Sequence, residues 1–400
     1  MPAREIRPGV HWVGAIDWDR EIFDELIPLP DGTSYNAYLV RGSEKTALID
    51  TVDPTKTEEL IGNLDDLGVT AIDYIVANHA EQDHSGSLPA MLERFPGATV
   101  VTNEKCRGLL VELLQIPEDR VRVIQDGETL PLGDRTLQFF IMPWVHWPET
   151  MVTYLQEDRV LFSCDFFGSH YATSNLFVGD EAAIHPAAKR YYAEIMMPFR
   201  KSIQGHLARL DGIGGIDIIA PSHGPLHDRP SVILDAYRDW TGDTVRDVVV
   251  LPYVSMHGST REMVDHLIGA LIGRGVTVKP FNLPRTDLGD LAMAIVDAAT
   301  IVVGTPTVIF GPHPAVVSAA YVTNLLRPKT RYVTVIGSYG WGGKAADTIA
   351  GMLDRLRAEV IEPVIVLGKP GKDEFAALDR LADEIVKRHR DDTLVLQEER

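Results

Sequence analysis

The sequence predicts an α/β protein with two domains: two sheets packed face to face with helices outside, followed by a doubly wound parallel sheet of five strands. Three observations predict this fold. A chain of 400 residues is longer than one hydrophobic core normally organises. Residues up to about 240 carry short β segments with helical patterns between some of them, whereas the remainder alternates regularly between strands and helices. A polar stretch at 240–244 separates the two patterns, so we place the boundary near 241–247, giving domains of 1–245 and 246–400.

In the first domain, short apolar runs predict strands at Tyr38–Val40, Thr46–Ile49, Thr99–Val101 and Leu137–Phe140. Apolar residues at three- and four-residue spacing predict helices at 55–67, 88–95 and 104–114. This mixture suits two sheets with helices on their outer faces.

In the second domain, five apolar runs predict strands at 248–251, 276–278, 301–303, 332–336 and 364–367. Helical patterns stand between them, for example at 260–272 and 291–298. Strands that alternate with helices of this length imply a doubly wound parallel sheet. Pro252 has no N–H for a strand ladder, so the first strand is expected to end at Leu251 or to contain a bulge.

Composition excludes several classes of protein. The formal charge of −19 argues against nucleic-acid binding, which needs clustered Lys and Arg. The start of the chain lacks the apolar core of a signal peptide, and no apolar run reaches the length of a membrane span. The two cysteines, Cys106 and Cys164, fit a reducing compartment. We therefore expect a cytoplasmic protein that neither binds nucleic acid nor enters a membrane.

The most informative stretch follows the apolar run at 74–77, where His79, Glu81, Asp83 and His84 offer four metal donors within six residues. A buried strand fixes the backbone, and the loop after it can direct several donors to one place. Nitrogen and oxygen donors without a thiolate favour Fe, Mn or Zn over a structural thiolate zinc site. A solvated polar loop explains such residues singly, but it does not account for four of them together.

Three further donors come at or just past the ends of other probable strands. His146 lies in a Pro-Trp-Val-His-Trp-Pro segment, Asp165 ends the apolar run at 160–164, and His223 follows the run at 216–220. A lone His in such a position is more often structural than a ligand. Together these residues bring the set to seven, enough for two metals that share one bridging carboxylate.

These residues resemble those of the metallo-β-lactamase fold and, within it, of the flavodiiron proteins. Zinc hydrolases of this fold typically carry His-x-His-x-Asp-His, whereas this chain has Glu81 in place of the second His. A carboxylate is a harder, negatively charged donor, which favours a redox-active iron pair over zinc. The resemblance implies a metallo-β-lactamase-like αββα sandwich whose seven donors hold two Fe. It assigns His79, Glu81 and His146 to one iron, Asp83, His84 and His223 to the other, and Asp165 to both.

Three loops of the second domain predict a cofactor site at the carboxyl ends of the strands, where doubly wound sheets bind ligands. The first offers hydroxyls and helix N-terminal amides for a phosphate, and comprises Ser255, Met256, His257, Gly258, Ser259 and Thr260. The second contains Thr305, Pro306 and Thr307, and the third contains Ser338, Tyr339, Gly340, Trp341 and Gly342. Small residues around aromatic side chains suit a planar ring. Taken alone, each of the three loops would be read as an ordinary turn.

Together the three loops resemble the flavodoxin-like domain of flavodiiron proteins, which binds FMN. The run Val308-Ile309-Phe310 departs from the polar residues that the family often has there.

The resemblance implies that electrons pass from FMN to the iron pair, where O2 is reduced to water or NO to nitrous oxide. It also implies a head-to-tail homodimer, alone or as a dimer of dimers. The sequence lacks a Cys-x-x-Cys pair for a fused rubredoxin. The electron donor is therefore expected to be external: a rubredoxin, F420H2 or an NADH-linked flavoprotein. His170, Tyr191 and Tyr192 are candidates for proton delivery or substrate placement.

Two other functions remain open at this point. One is a dizinc hydrolase that carries a flavodoxin-like domain, which would contain zinc and no iron. The other is an FMN redox carrier or sensor, which would bind flavin but consume neither O2 nor NO.

Overall fold

The computed structural model describes residues 2–397, which divide into two compact units. Of the described residues, one unit comprises 2–192 and Phe199–Arg238, and the other comprises Ala193–Pro198 and 239–397. Most of the second unit follows Asp239, just before the predicted boundary. The short segment Ala193–Pro198 also belongs to it. Within the described residues, no helix has the length and apolar character needed to cross a membrane.

The first unit contains two large sheets. The first sheet has seven strands, in the spatial order Arg4–Arg7, Val10–Trp12, Tyr38–Arg41, Thr46–Ile49, Tyr74–Val76, Thr99–Thr102 and Val121–Val123. The second has five, in the order Thr129–Pro131, Thr136–Ile141, Met151–Leu155, Val160–Cys164 and Ile218–Pro221. Two short pairs accompany them: Ala15–Asp17 with Thr33–Tyr35, and Ile22–Phe23 with Ile27–Pro28.

Strand periodicity explains how the first sheet is covered on both faces. Successive side chains of a strand point to opposite faces. Val40 and Ile49 pack with Phe139 and Phe162 of the second sheet. Their neighbours Leu39, Leu48 and Ile75 instead pack against helices. The helices of this unit are Thr57–Asp66, Gln82–Ser85, Leu88–Arg94, Glu104–Leu114, Glu181–Tyr191, Arg200–Leu210 and Pro230–Thr241.

Helix Arg200–Leu210 lies against the second sheet. Arg209 donates to the carbonyl of Ile141 at 3.0 Å, and its guanidinium lies 5.0 Å from the ring centre of Phe140. With helices on the outer faces of two packed sheets, the predicted αββα sandwich is confirmed.

The second unit is a largely parallel sheet with helices packed against it; only the short strand Gly311–Pro312 pairs antiparallel among its described residues. Its central strands lie in the order Thr277–Asn282, Val245–Tyr253, Ala298–Val308, Tyr332–Tyr339 and Glu359–Val360. Val245–Tyr253, the first strand of this unit in sequence, thus lies between the second and the third, as in flavodoxin-like sheets. Strand Val364–Leu367 also pairs with Tyr332–Tyr339, and the short strands Gly311–Pro312 and Val395–Leu396 complete the sheet. The helices are Ser259–Gly273, Leu288–Ile295, Pro314–Leu326, Ala345–Met352 and Lys372–Asp391.

Two details of the second unit differ from the sequence-based expectation. The first strand continues through Pro252 to Tyr253, and its irregularity lies between Arg246 and Val249 instead. Near the end of a nine-residue strand, one missing donor leaves the rest of the ladder intact. The helix predicted at 291–298 runs from Leu288 to Ile295 because Asp287 caps its N-terminus, accepting a hydrogen bond from the Gly289 amide at 2.8 Å.

Candidate metal centre and cofactor loops

The loop that carries His79 is held by a buried polar network. Asn78 donates to both carboxylate oxygens of Asp50, from its backbone and its side-chain nitrogen, each at 2.8 Å. Thr153 of the second sheet donates to the side-chain oxygen of Asn78 at 2.7 Å. Burial raises the pKa of Asp50 to about 6, although these hydrogen bonds oppose the shift. The network ties the end of strand Tyr74–Val76 to both sheets.

One group of donors consists of His79, Glu81 and His146. Glu81 Oε2 lies 3.2 Å from His79 Nε2 and 3.0 Å from His146 Nε2. Asp165 Oδ2 lies 3.4 Å from each of the same two nitrogens. Three separate segments of the chain therefore direct four ligand atoms to one place.

A second group consists of Asp83, His84 and His223. His84 Nε2 lies 3.2 Å from Asp83 Oδ1, and His223 Nε2 lies 3.1 Å from Asp83 Oδ2. Asp165 Oδ1 lies 2.9 Å from His84 Nε2 and 3.5 Å from His223 Nε2. The two oxygens of Asp165 thus belong to different groups, and the structure brings all seven predicted donors together.

Several of these atoms are buried without a hydrogen-bond partner among the described residues. They are both oxygens of Asp83, both oxygens of Asp165 and both ring nitrogens of His84. Buried polar atoms are nearly always paired, so unpaired ones need an explanation. Oxygen and nitrogen atoms that approach within about 3.5 Å without the angles of hydrogen bonds fit the lone-pair geometry around a cation. The donor set therefore fits two metal ions.

In the absence of a metal, protonated imidazole rings balance the negative charge of the carboxylates. Burial would lower the pKa of His79, but hydrogen bonds with Glu149 and Glu81 and the charge of Asp165 raise it to about 10. Burial would also lower the pKa of His146 and of His84. Interaction with the Asp165 carboxylate outweighs it, so the pKa of His146 rises to about 10 and that of His84 to about 9. Burial would raise the pKa of Asp165, but the charge of His84 and the close approach of the His146, His84 and His79 rings hold it well below its ordinary value. Metal ions must displace these protons.

Sequence reasoning missed Glu149, which is fully buried beside the first group. Its Oε1 lies 2.6 Å from His79 Nδ1 and accepts from the backbone amide of Ala80 at 3.1 Å. Burial would raise the pKa of Glu149, but the hydrogen bond from His79 keeps it lower than usual. Its one sequence signal is an acidic side chain three residues after His146. On the second group, His223 Nδ1 donates to the carbonyl of Ser34 at 2.7 Å.

Of the three candidates for proton delivery, His170 and Tyr191 lie beside the second group, with the Tyr191 ring 5.8 Å from that of His223, centre to centre. The His170 ring lies 4.7 Å from that of His223 and 4.9 Å from that of Tyr191, centre to centre. His170 Nδ1 pairs with Thr33 Oγ1 at 2.9 Å, while its Nε2 is buried without a partner among the described residues. Burial lowers the pKa of His170 and raises that of Tyr191. Tyr192 packs edge-on against Tyr237, with ring centres 5.4 Å apart.

In the second unit, the first predicted loop leads into helix Ser259–Gly273. Gly258 has φ +98°, a conformation that favours glycine, and it precedes the first helical residue. Ser255 Oγ accepts from the amide of Arg261 at 3.1 Å. Thr260 and Ser338 pair through their hydroxyl oxygens at 3.0 Å, so the structure joins the first and third segments.

The second and third segments are partly strand, where the sequence suggested loops. Thr305, Pro306 and Thr307 lie within Ala298–Val308, and Ser338 and Tyr339 within Tyr332–Tyr339. The reason is that parallel pairing continues to the edge, with Thr305 opposite Gly337 and Pro306 opposite Ser338. The third loop proper therefore begins at Gly340.

An exposed apolar hairpin stands beside the third loop. Ile309 and Phe310 form its turn with φ +45° and +68° and are 82% and 70% exposed. The Phe310 ring packs edge-on against Trp341, with centres 4.6 Å apart, and Trp341 is itself 59% exposed. These rings leave apolar surface open at the carboxyl ends of the strands, which suits a planar cofactor.

Comparisons with known proteins agree with this architecture. Residues 33–224 match the model of the ODP family beta lactamase. The chain is 36% identical to a nitric oxide reductase from Moorella thermoacetica, over 92% of each chain. Among solved structures, it is similar to the rubredoxin oxygen:oxidoreductase from Desulfovibrio gigas (31% identity, TM-score 0.93, 96% of this chain and 98% of that one). It is also similar to the flavodiiron protein from Giardia intestinalis (27% identity, TM-score 0.89, 97% of each chain).

Proposed function

The chain belongs to the flavodiiron protein family, and from that membership we propose that it is an oxidoreductase that reduces O2 to water, NO to nitrous oxide, or both. One observation carries the proposal. Asp165 directs its two oxygens to two different groups of donors, and none of the four oxygens of Asp83 and Asp165 has a hydrogen-bond partner among the described residues.

The two groups would hold two Fe, bridged by Asp165. His79, Glu81 and His146 would bind one ion, and Asp83, His84 and His223 the other. His84 is included because its Nε2 approaches both Asp165 and Asp83. Glu81 supports iron over zinc because a carboxylate is a harder donor than imidazole. A ferrous pair held here would supply two electrons to a bound diatomic substrate.

The chain's own residues would supply the protons and the shape of the substrate site. The Tyr191 hydroxyl is protonated at neutral pH, since burial raises its pKa above an ordinary value that is itself about 10, so it can donate a hydrogen bond. Thr33 orients His170 through Nδ1, while Nε2 of the same ring has no hydrogen-bond partner among the described residues and the ring packs beside His223. Tyr192 is the third candidate, and its ring packs edge-on against Tyr237.

The second unit would bind FMN with the three segments at the carboxyl ends of its strands. The N-terminus of the fifteen-residue helix Ser259–Gly273 is suited to the phosphate. The hydroxyl pair of Thr260 and Ser338 and the open apolar surface at Trp341 and Phe310 support a site for the ring. When bound, the flavin supplies electrons to the iron pair.

The remaining proposals concern partners and location. An external donor, such as a rubredoxin, F420H2 or an NADH-linked flavoprotein, would reduce the flavin. A head-to-tail homodimer would bring the flavin of one chain to the iron pair of the other. We propose a cytoplasmic location from the acidic composition and the two buried free cysteines, Cys106 and Cys164.

The test is anaerobic reduction of the purified protein, followed by separate assays of O2 and NO consumption. Iron, zinc and FMN are quantified in the same preparation. We expect two irons and one FMN per chain, with turnover of at least one gas. Zinc at both positions would indicate the hydrolase, and bound FMN with no gas consumption would indicate a carrier or sensor. Either result would overturn the proposal.

A further inference from the structure

Glu149 is a buried carboxylate that lies behind the proposed iron ligands and is not one of them. It is fully buried, and its Oε1 lies 2.6 Å from His79 Nδ1. Because a carboxylate accepts and cannot donate, this contact assigns the proton of His79 to Nδ1. The other nitrogen of the ring, Nε2, lies 3.2 Å from Glu81 Oε2 and 3.4 Å from Asp165 Oδ2, so its lone pair would face an ion between them once the second proton is displaced.

The position of Glu149 is fixed from two sides. The amide of Ala80, next to His79 in the chain, donates to Oε1 at 3.1 Å. The side chain of Asn103 donates to the backbone carbonyl of Glu149 at 2.6 Å, and its oxygen caps helix Glu104–Leu114. A carboxylate anchored in this way cannot turn toward solvent, so its charge stays behind the ring.

The two groups of donors differ in this respect. Each has one carboxylate of its own and one oxygen of Asp165, so their direct ligand charges are equal. Behind the second group, His223 Nδ1 meets the neutral carbonyl of Ser34, and His84 Nδ1 has no partner among the described residues. Asp50 is also buried nearby, but its charge acts on a ring of each group, His84 and His79, whereas of these two rings Glu149 contacts only that of His79.

We propose that Glu149 is a positioning residue that makes the two ion positions inequivalent. It fixes the ring and tautomer of His79, and its buried charge stabilises the more highly charged ion at the position formed by His79, Glu81 and His146. That position therefore has the lower reduction potential and is the first to be oxidised. This inference rests on the proposed iron pair.

Carboxylates behind metal-bound imidazoles hold the ring in place and raise the basicity of the ligand. Both effects act at His79. A buried charge near an ion is also poorly screened, so its influence on the ion is greater than at the surface.

Three variants separate the charge of Glu149 from its hydrogen bond. Glu149→Gln keeps an acceptor of the same shape without the charge, Glu149→Asp keeps the charge on a shorter side chain, and Glu149→Ala removes both. Asp247→Asn is the matched control, since Asp247 lies 2.7 Å from Nδ1 of His389, a buried His outside the metal groups. Each protein is loaded with 57Fe, and its reductive titration is followed by Mössbauer and EPR spectroscopy.

For Glu149→Gln we expect two irons per chain and easier reduction of one of them. A tenfold change in the ratio of ferric to ferrous affinity corresponds to about 59 mV for a one-electron couple. For Glu149→Ala we expect iron affinity at one position to fall by about 10–100-fold. Glu149→Asp should recover part of both properties, and Asp247→Asn should match the wild type.

If Glu149→Gln titrates like the wild type, the inference is wrong. It is also wrong if the two irons shift together, or if Asp247→Asn shifts them equally. Wild-type protein that takes up no iron would overturn the proposed function instead. In that case the affinity for Co2+ tests Glu149 independently: a loss in Glu149→Ala supports the positioning role, and unchanged Co2+ binding rejects it.

Discussion

The two candidate sites of the chain are built in different ways. The metal groups consist of side chains, nearly all buried, from four separate segments, and their unpaired polar atoms converge on two places. The flavin segments consist largely of backbone and small residues at strand ends, next to exposed apolar rings. One site is therefore specified by the chemistry of its donors, and the other by the shape of the backbone. Substitutions should expose this difference.

The largest effect is expected from Asp165→Asn. The amide is nearly isosteric but uncharged, so both ions lose an anionic ligand at once. We expect iron to fall from two per chain to below one and gas consumption to fall by at least about a hundredfold, since even outer partners of a metal cost 10–100-fold. Flavin absorbance should stay at the wild-type level. Loss of flavin together with iron would mean that the whole fold had failed.

At the other site, Gly258→Val tests whether backbone shape controls flavin binding. A Cβ there meets open space, but the φ of +98° is strained for a β-branched residue. The strain costs about 1–3 kcal/mol, so flavin affinity should fall by about tenfold or more while the iron content stays unchanged. Flavin fluorescence during titration measures this. Gly269→Ala, in the following helix and equally open, is the control and should bind flavin normally.

The pH dependence of the metal-free protein sharpens the contrast further. In the folded state the pKa of His79 and of His146 is raised from 6.5 to about 10, and that of His84 to about 9. Their protonation stabilises the metal-free fold fully below pH 6.5, and this contribution is lost as the pH rises through 9–10. We expect the melting temperature of chelator-treated protein to fall across this window.

Metal-loaded protein is the comparison for that measurement, because its imidazoles are already deprotonated by the ions. Its melting temperature should change less between pH 7 and pH 10 than that of the metal-free protein. If the melting temperature of the metal-free protein does not change as the pH rises through 9–10, the imidazolium groups do not balance the charge of the carboxylates.

The smallest effect is expected from Thr260→Val. This substitution removes the hydroxyl that pairs with Ser338 but keeps the side-chain shape. A neutral hydrogen bond contributes about 0.5–1.5 kcal/mol, so flavin affinity should fall by a few-fold to about tenfold. Thr348→Val, which removes a hydroxyl bonded to a helix carbonyl at Lys344, should leave flavin affinity unchanged. Equal effects of both would argue against a specific role for Thr260.

The contrast also explains what could be predicted from the sequence. The fold class followed from apolar periodicity, and the seven donors could be named because His, Asp and Glu after strands are visible as residue types. The role of Glu149 could not be predicted, because an acidic residue in a loop is normally expected to face solvent. Only the packing of the chain shows that it lies against His79. Likewise, Thr305 and Ser338 suggested loops because the sequence does not reveal that parallel pairing continues to the edge of the sheet.

The central claim is that two redox-active ions lie on either side of Asp165. The most direct test is a crystal structure of the protein as isolated, with anomalous diffraction measured on both sides of the iron absorption edge. We predict two iron peaks per chain, one beside His79, Glu81 and His146 and the other beside Asp83, His84 and His223. A single peak, no peak, or zinc at both positions would contradict the claim.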